Sequence, residues 1–383
     1  EALFEYSREL RRDFHRYPEL GMKEYRSAEK IAAELSKMGY EVKTNVGETG
    51  VVGLLRTDKA GPTLLLRFDM DALPIQEDTG VDYASVNPGV MHACGHDAHM
   101  AIGLTVAKLL MQHREEVCGT IKFMFQPGEE GLGGAVKMIQ DGVLEDPKPD
   151  YALSLHVWSD KPFGWMAIKE GPLMAGASVF QITINGKGGH GAAPHLTIDP
   201  VLAGAQVITA LQSVVSRNVP PLESAVVSVT MMQAGEAFNV IPQTAMLKGT
   251  VRAFNADINK IVLERVETII KNVSIAMGCT ADVEIDIITP PVINDPRAAD
   301  IVKKAALSLY PESQISSDYR TMGSEDMAFV LEKIPGCFFF IGSSIKDNSL
   351  AYGHHHPKFN IDEAVLPKAA AVMTAAVLNF GKI

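Results

Sequence analysis

TLLLRFDM, residues 63–70, sets a short apolar run directly against the acidic Asp69. VVGLLR (51–56), TIKFMFQ (120–126) and YALSLHVW (151–158) have the same character, and all four read as buried strands. The helical segment Ala98 to His113 lies between two of them. Strands alternating with helices imply a mostly parallel α/β sheet. Upstream, Leu3, Leu10 and Phe14 recur at helical spacing until Pro18, and a second helical stretch, Glu24 to Met38, follows the turn at Pro18 to Gly21.

Near Gly176 the pattern changes. VFQITING (179–186) alternates like a half-exposed strand and precedes a helix (Pro200 to Arg217), two strands (225–232 and 243–253), a helix (Ile258 to Ala276) and ADVEIDIIT (281–289). That order, βαββαβ, is the ferredoxin-like plait. It is complete in itself, so residues 177–290 are expected to form an inserted domain, with 1–176 and 291–383 forming the domain it interrupts. The latter resumes with a helix at Arg297–Leu309, the strand CFFFIG (337–342) and a closing helix from Leu366. Two domains suit 383 residues, because single cores stop growing near ~250–300.

Hydrophobic residues at 46% and charged residues at 21% leave no compositional case for disorder. A net charge of −11, with no cluster of Lys and Arg, opposes nucleic-acid binding. Cys94, Cys118, Cys279 and Cys337 lie too far apart to suggest a disulfide framework, which points to the reducing cytoplasm. The charged, amphipathic N-terminus has neither an apolar core nor a small-residue cleavage site, and no run approaches membrane-spanning length.

Nine of the eleven histidines fall in four places: MHACGHDAH (91–99), SLHVW (154–158), GGHGAAPH (188–195) and GHHHP (353–357). His15 and His113, outside them, read as structural. His92, His96 and His99 beside Cys94 combine imidazole with thiolate, the usual ligands of divalent transition metals. Asp69 and Asp71 follow one predicted strand, Glu129 and Glu130 another, and His156 ends the run YALSL. Open α/β sheets bind ligands beyond the carboxyl ends of strands, so three such groups can converge on one site. Neighbouring carboxylates can divide two tasks there, one binding a metal and the other moving a proton to and from its water. Cys94 and His96 could alternatively act as nucleophile and base, but that leaves the remaining histidines and carboxylates unexplained. GLGGAV (131–136) lacks the Lys and Ser/Thr of a phosphate loop.

The motifs RFDMDALP, MHACGHDAH, FQPGEEG, HVW, GKGGHGAAPH, NVIP, MGSEDMAF and HHHPKF, in this order, resemble the amidohydrolase branch of the aminoacylase and carboxypeptidase metallopeptidases. Hippurate hydrolases, N-acyl-amino-acid deacylases, N-acetyldiaminopimelate deacetylases and plant indole-acetyl-amino-acid hydrolases share the pattern. The resemblance implies hydrolysis of N-acyl amino acids, with carboxypeptidase or dipeptidase action on the same scaffold as the alternative and a non-catalytic binding protein as the farther one. It implies one or two divalent ions (Zn, Mn, Co or Ni) on Cys94, His96, Glu130, His156 and one histidine of 354–356, with spacing before the proline favouring His355. Glu129 would be the proton shuttle. Asp69 and Asp71 stand where relatives carry a His-x-Asp pair that binds and orients the metal centre, Asp69 replacing that histidine. The plait resembles a lid and dimerisation domain whose His190 stabilises the oxyanion, which implies a homo-oligomer, dimer or tetramer. Asn239 and Arg252 are the candidates for the substrate carboxylate, a guanidinium being able to grip it bidentately. Arg252 could equally serve a surface salt bridge.

Overall fold

The computed structural model describes residues 3–345 and 352–382, and the four apolar runs around TLLLRFDM lie side by side in it. Thr120–Gln126, Thr63–Asp69, Tyr151–Pro162 and Gly336–Ser344 pair in parallel, in that order, at the centre of an eight-stranded sheet. Gly50–Arg56 and then Glu41–Val46 add antiparallel on one side. Trp165–Ala167 joins antiparallel on the other, followed by Gln314–Ser316. The result is a mixed, mainly parallel α/β sheet flanked by helices, as expected. Central strands so apolar need cover on both faces, and Leu64, Leu66, Phe68, Phe123, Phe125 and Phe339 join residues of the surrounding helices in one buried cluster. Among the described residues, no helix is long and apolar enough to cross a membrane. All four cysteines are free thiols.

Three local expectations need correction. The strand expected at 151–158 runs on to Pro162, so His156 lies in mid-strand opposite Phe340 rather than at a strand end. The helix expected from Ala98 begins at His96, because Gly95 turns the chain in the left-handed region (φ +90°), where a Cβ would lie 2.5 Å from Val157. His96 and Asp97 thereby enter the first turn. Three short strands of this sheet, Glu41–Val46, Trp165–Ala167 and Gln314–Ser316, were not foreseen. The first of these has a mostly exposed edge pattern without apolar alternation, and the other two span only three residues each.

The chain divides into two compact units: Glu1–Leu173 with Ile293–Tyr319 and Asp326–Ile383, and Met174–Val292 with Arg320–Glu325. In the second, the strand order Ala225–Ala234, Thr244–Ala253, Gly176–Asn185, Thr280–Thr289 is antiparallel throughout, with helices Pro200–Asn218 and Ala256–Ala276 completing βαββαβ. Phe180, Ile182, Leu247, Val207 and Val262 belong to its core. The short segment Arg320–Glu325 was expected to stay with the first domain. It groups with the second because Ala175 N donates to Thr321 O and Gly323 O, and Arg320 stacks over Phe254.

Away from any histidine, Lys122 is a buried cation on a central strand. Its ammonium donates to the carbonyls of Val143 at 2.9 Å, Glu145 at 2.5 Å and Pro147 at 2.8 Å, tying down the turn after the helix Gly134–Gln140. Lys122→Met is expected to lower unfolding free energy by ~1–3 kcal/mol, the cost of leaving buried acceptors unsatisfied. Urea melts check this, and a variant as stable as the parent would show that water can replace the ammonium.

Candidate metal centre

Loops beyond the central strands bring Asp71, Cys94, Glu129, Glu130 and His355 to one place with His96, at the start of its helix, and His156, in mid-strand. The ligand atoms of Cys94, His96 and His156 lie within 4.8 Å of one another, and so do those of Cys94, Glu130 and His355. Cys94 is thus common to two groups that could each hold a divalent cation. A third group, His96, Glu129 and Glu130, places the second carboxylate of the pair beside them.

His96 and His156 are each aimed by the bond at the nitrogen facing away from Cys94. His96 Nδ1 donates to Asp71 O at 2.8 Å and lies 3.1 Å from Asp71 Oδ1. Its Nε2 is left fully buried without a hydrogen-bond partner. His156 Nδ1 donates to Val157 O at 2.7 Å, leaving Nε2 to face Cys94 Sγ at 3.4 Å. His355 Nε2 lies 3.1 Å from Glu130 Oε1. His355 also holds an unusual left-handed backbone (φ +65°) while its N–H donates to Ala93 O; such strain in a non-glycine residue collects at functional positions. The flanking histidines are differently engaged, His354 Nε2 donating to Val157 O at 3.0 Å and His356 Nδ1 accepting from Lys358 N.

The donor set fits a divalent transition metal. Atoms bound at ~2.0–2.3 Å to a shared ion stand roughly 3–4 Å apart, and the observed thiol–imidazole separation of 3.4 Å falls in that range. Burial pushes the Cys94 thiol well above its usual range, and Glu130, Glu129 and Asp69 add to the rise. Burial works against a charge on His96, but Asp69, Asp71 and Glu130 outweigh it and hold that imidazole at about 10. Burial, then His99 and His354, push His156 well down.

Asp69 falls in a further group with His96 and His99, whose ligand atoms also lie within 4.8 Å of one another. Its Oδ1 accepts from His99 Nδ1 at 2.5 Å and its Oδ2 from Arg67 at 2.6 Å. His99 Nε2 in turn accepts from Val157 N at 3.0 Å. Asp71 instead links two groups of the centre, since its Oδ2 accepts from Glu130 N at 3.0 Å. Arg67, Gln126 and Asp326 were missed by the sequence reading. Arg67 donates to Gln126 Oε1 at 2.8 Å and to Asp326 Oδ1 at 2.9 Å, and Asp326 Oδ2 accepts from Ala135 N at the start of the helix after the Glu129 loop. The available signal was polar residues, Arg67 and Gln126, inside strands buried along their length.

The other candidates lie in the second unit. His190 pairs with Val240 across a two-stranded ladder, and Gly191 N donates to Asn239 O, so His190 and Asn239 are neighbours there. His190 Nδ1 accepts from Ala192 N at 3.0 Å, which leaves the proton on Nε2. Arg252 lies on the strand Thr244–Ala253 and donates to Val251 O and Thr250 Oγ1. It forms no ion pair among the described residues, so the surface salt bridge weighed as its alternative role is not seen.

The model of peptidase family M20/M25/M40 matches residues 65–379. The chain is 39% identical to N-acetyl-L-cysteine deacetylase of Bacillus subtilis, over 94% of this chain and 85% of that protein. It is 37% identical to thermostable carboxypeptidase 1 of Saccharolobus solfataricus, over 97% and 94%. Among solved structures, the YXEP protein of Bacillus subtilis, described as a dinuclear metal binding peptidase from the M20 family, superposes with a TM-score of 0.87 at 35% identity, over 100% of this chain and 99% of that one. With the fold, the ligand-rich centre and these relatives in agreement, the chain belongs to peptidase family M20/M25/M40 and is a metal-dependent amidohydrolase.

Proposed function

We propose that this amidohydrolase cleaves the amide bond of N-acyl amino acids, releasing a carboxylic acid and a free amino acid. The observation that carries the reading is the pair of ligand groups sharing Cys94, with the Glu129 carboxylate beside them. In this reading Cys94, His96, Glu130, His156 and His355 hold one or two divalent ions. Bound there, such ions lower the pKa of water from near 16 toward ~7 and polarise the amide carbonyl. Glu129 accepts the proton of the attacking water and returns it to the departing nitrogen, a general-base and general-acid duty for one carboxylate. Asp71 holds His96 and the Glu130 amide in register, while Asp69 keeps His99 and Arg67 in place. His190, with its proton on Nε2, donates to the oxyanion, and Asn239 and Arg252 receive the substrate carboxylate. The second unit serves as lid and dimerisation domain of a homo-oligomer.

The amino-acid half of the substrate is supported by the N-acetyl-L-cysteine deacetylase among the relatives, while the carboxypeptidase relative supports peptide cleavage as the second reading. One experiment separates them. Free amino acid is measured from N-acetyl, N-benzoyl and indole-acetyl amino acids and from simple dipeptides, before and after chelation and add-back of Zn, Mn, Co or Ni. N-acyl substrates are expected to turn over, to stop on chelation and to recover with metal. Preferential turnover of dipeptides would transfer the assignment to the peptidase reading.

A further inference from the structure

The turn PELGMKE, residues 18–24, carries no group used above, yet it backs both loops that build the centre. Glu19 O accepts from Ala72 N at 2.8 Å, and Leu20 bridges to Ala72, directly beyond Asp71. A Cβ on Gly21 would stand 3.1 Å from Gly128 Cα and 3.4 Å from Asp71 Oδ2. Glu24 closes the turn with a carboxylate that is 0% exposed. Its Oε2 accepts from the Thr49 hydroxyl, and its Oε1 accepts from Gly128 N at 2.9 Å, 104 residues away. Gly128 is held in the left-handed region (φ +56°), with Met22 packed where a Cβ would lie.

A carboxylate taken fully out of water is costly, and Glu24 has no ion pair among the described residues. A neutral side chain would join the turn to the loop at lower cost. What the length of this side chain supplies is an acceptor that reaches from the turn to Gly128 N–H. It falls on the amide immediately before the Glu129–Glu130 pair, whose two side chains share one ligand group with His96. Rotation of that peptide would turn both away from their places.

We propose that Glu24 is a positioning residue, setting through Gly128 N–H the orientation of the loop that presents Glu129 and Glu130. The kinetic part of the proposal rests on the reading of Glu129 as proton shuttle. Two conservative variants of the metal-loaded enzyme separate reach from charge. Glu24→Asp keeps the charge but withdraws it from Gly128 N, whereas Glu24→Gln keeps an acceptor in reach. Glu24→Asp is expected to lower kcat by about 10–100-fold, the scale of a ~1 Å misplacement, with KM and metal content little changed. Amide hydrogen exchange in residues 127–133 should rise by about tenfold or more, local opening being what such exchange reports. Glu24→Gln is expected to retain most of kcat and of the protection. In a Glu129→Gln background Glu24→Asp should cost almost nothing further, because residues acting as one unit are not additive. Unchanged exchange in Glu24→Asp, or a more severe loss in Glu24→Gln than in Glu24→Asp, would overturn the proposal, as would equal losses of kcat in the two backgrounds. Near-normal turnover by Glu129→Gln alone would remove the shuttle reading instead, and the exchange measurement would still decide whether Glu24 holds the loop.

Discussion

Glu129→Gln is expected to lose ~10²–10⁴-fold in kcat, the usual share of a positioned general base and acid, while keeping its fold and its metal. The amide cannot take a proton from water or return one to the leaving nitrogen, yet it fills the same volume. KM should change little, because the lost interaction belongs to the transition state. Steady-state rates and elemental analysis on the same preparation decide the matter. Turnover near that of the parent would move the proton transfer to another group and end the assignment.

The second large effect concerns stability. Arg67 is fully buried and donates to Asp69 Oδ2, Gln126 Oε1 and Asp326 Oδ1. Arg67→Ala leaves two buried carboxylates without this cation, and breaking such a pair typically costs ~3–5 kcal/mol. Urea unfolding of the metal-free protein should show a loss of that size. Arg67→Ala combined with Asp326→Ala should lose less than the sum of the two single changes, since the residues share one network. A loss below ~1 kcal/mol for Arg67→Ala would mean that water enters and solvates the carboxylates. Activity should fall as well, because the same network ends on the amide of Ala135, a few residues beyond Glu129.

Much of this architecture was legible because buried parallel strands have to be apolar along their length. TLLLRFDM and TIKFMFQ therefore announced themselves, and alternation in VFQITING and ADVEIDIIT marked a sheet covered on one face. Edge strands such as Glu41–Val46 carry no such obligation and stayed hidden. Clustering of histidines and carboxylates drew attention to Cys94, His96, Glu130, His156 and His355, whose ligand atoms gather in the groups around Cys94. The supporting residues left no comparable trace. Glu24 with Gly128, Asp326 with Ala135 and Arg67 with Asp326 are separated by 104, 191 and 259 positions, and no local pattern states which buried carboxylate will find which amide. His156 was misplaced within its strand for a related reason: the polar tail SDKP reads as loop until pairing of Ser344 with Pro162 extends the ladder through it.

The plait's first and last strands are sheet neighbours, with Ala177 opposite Thr289. The long excursion of the chain therefore starts and finishes within one strand spacing, about 5 Å. Closing a flexible loop of roughly 110 residues costs on the order of 4 kcal/mol of chain entropy, and folding of the insert alone meets that cost. Apart from the later segment Arg320–Glu325, the insert is then spliced into the interrupted domain much as a tight turn would be. Sequence drift, lengthening or outright replacement inside the insert can proceed without disturbing the assembly order of the sheet that carries the chemistry.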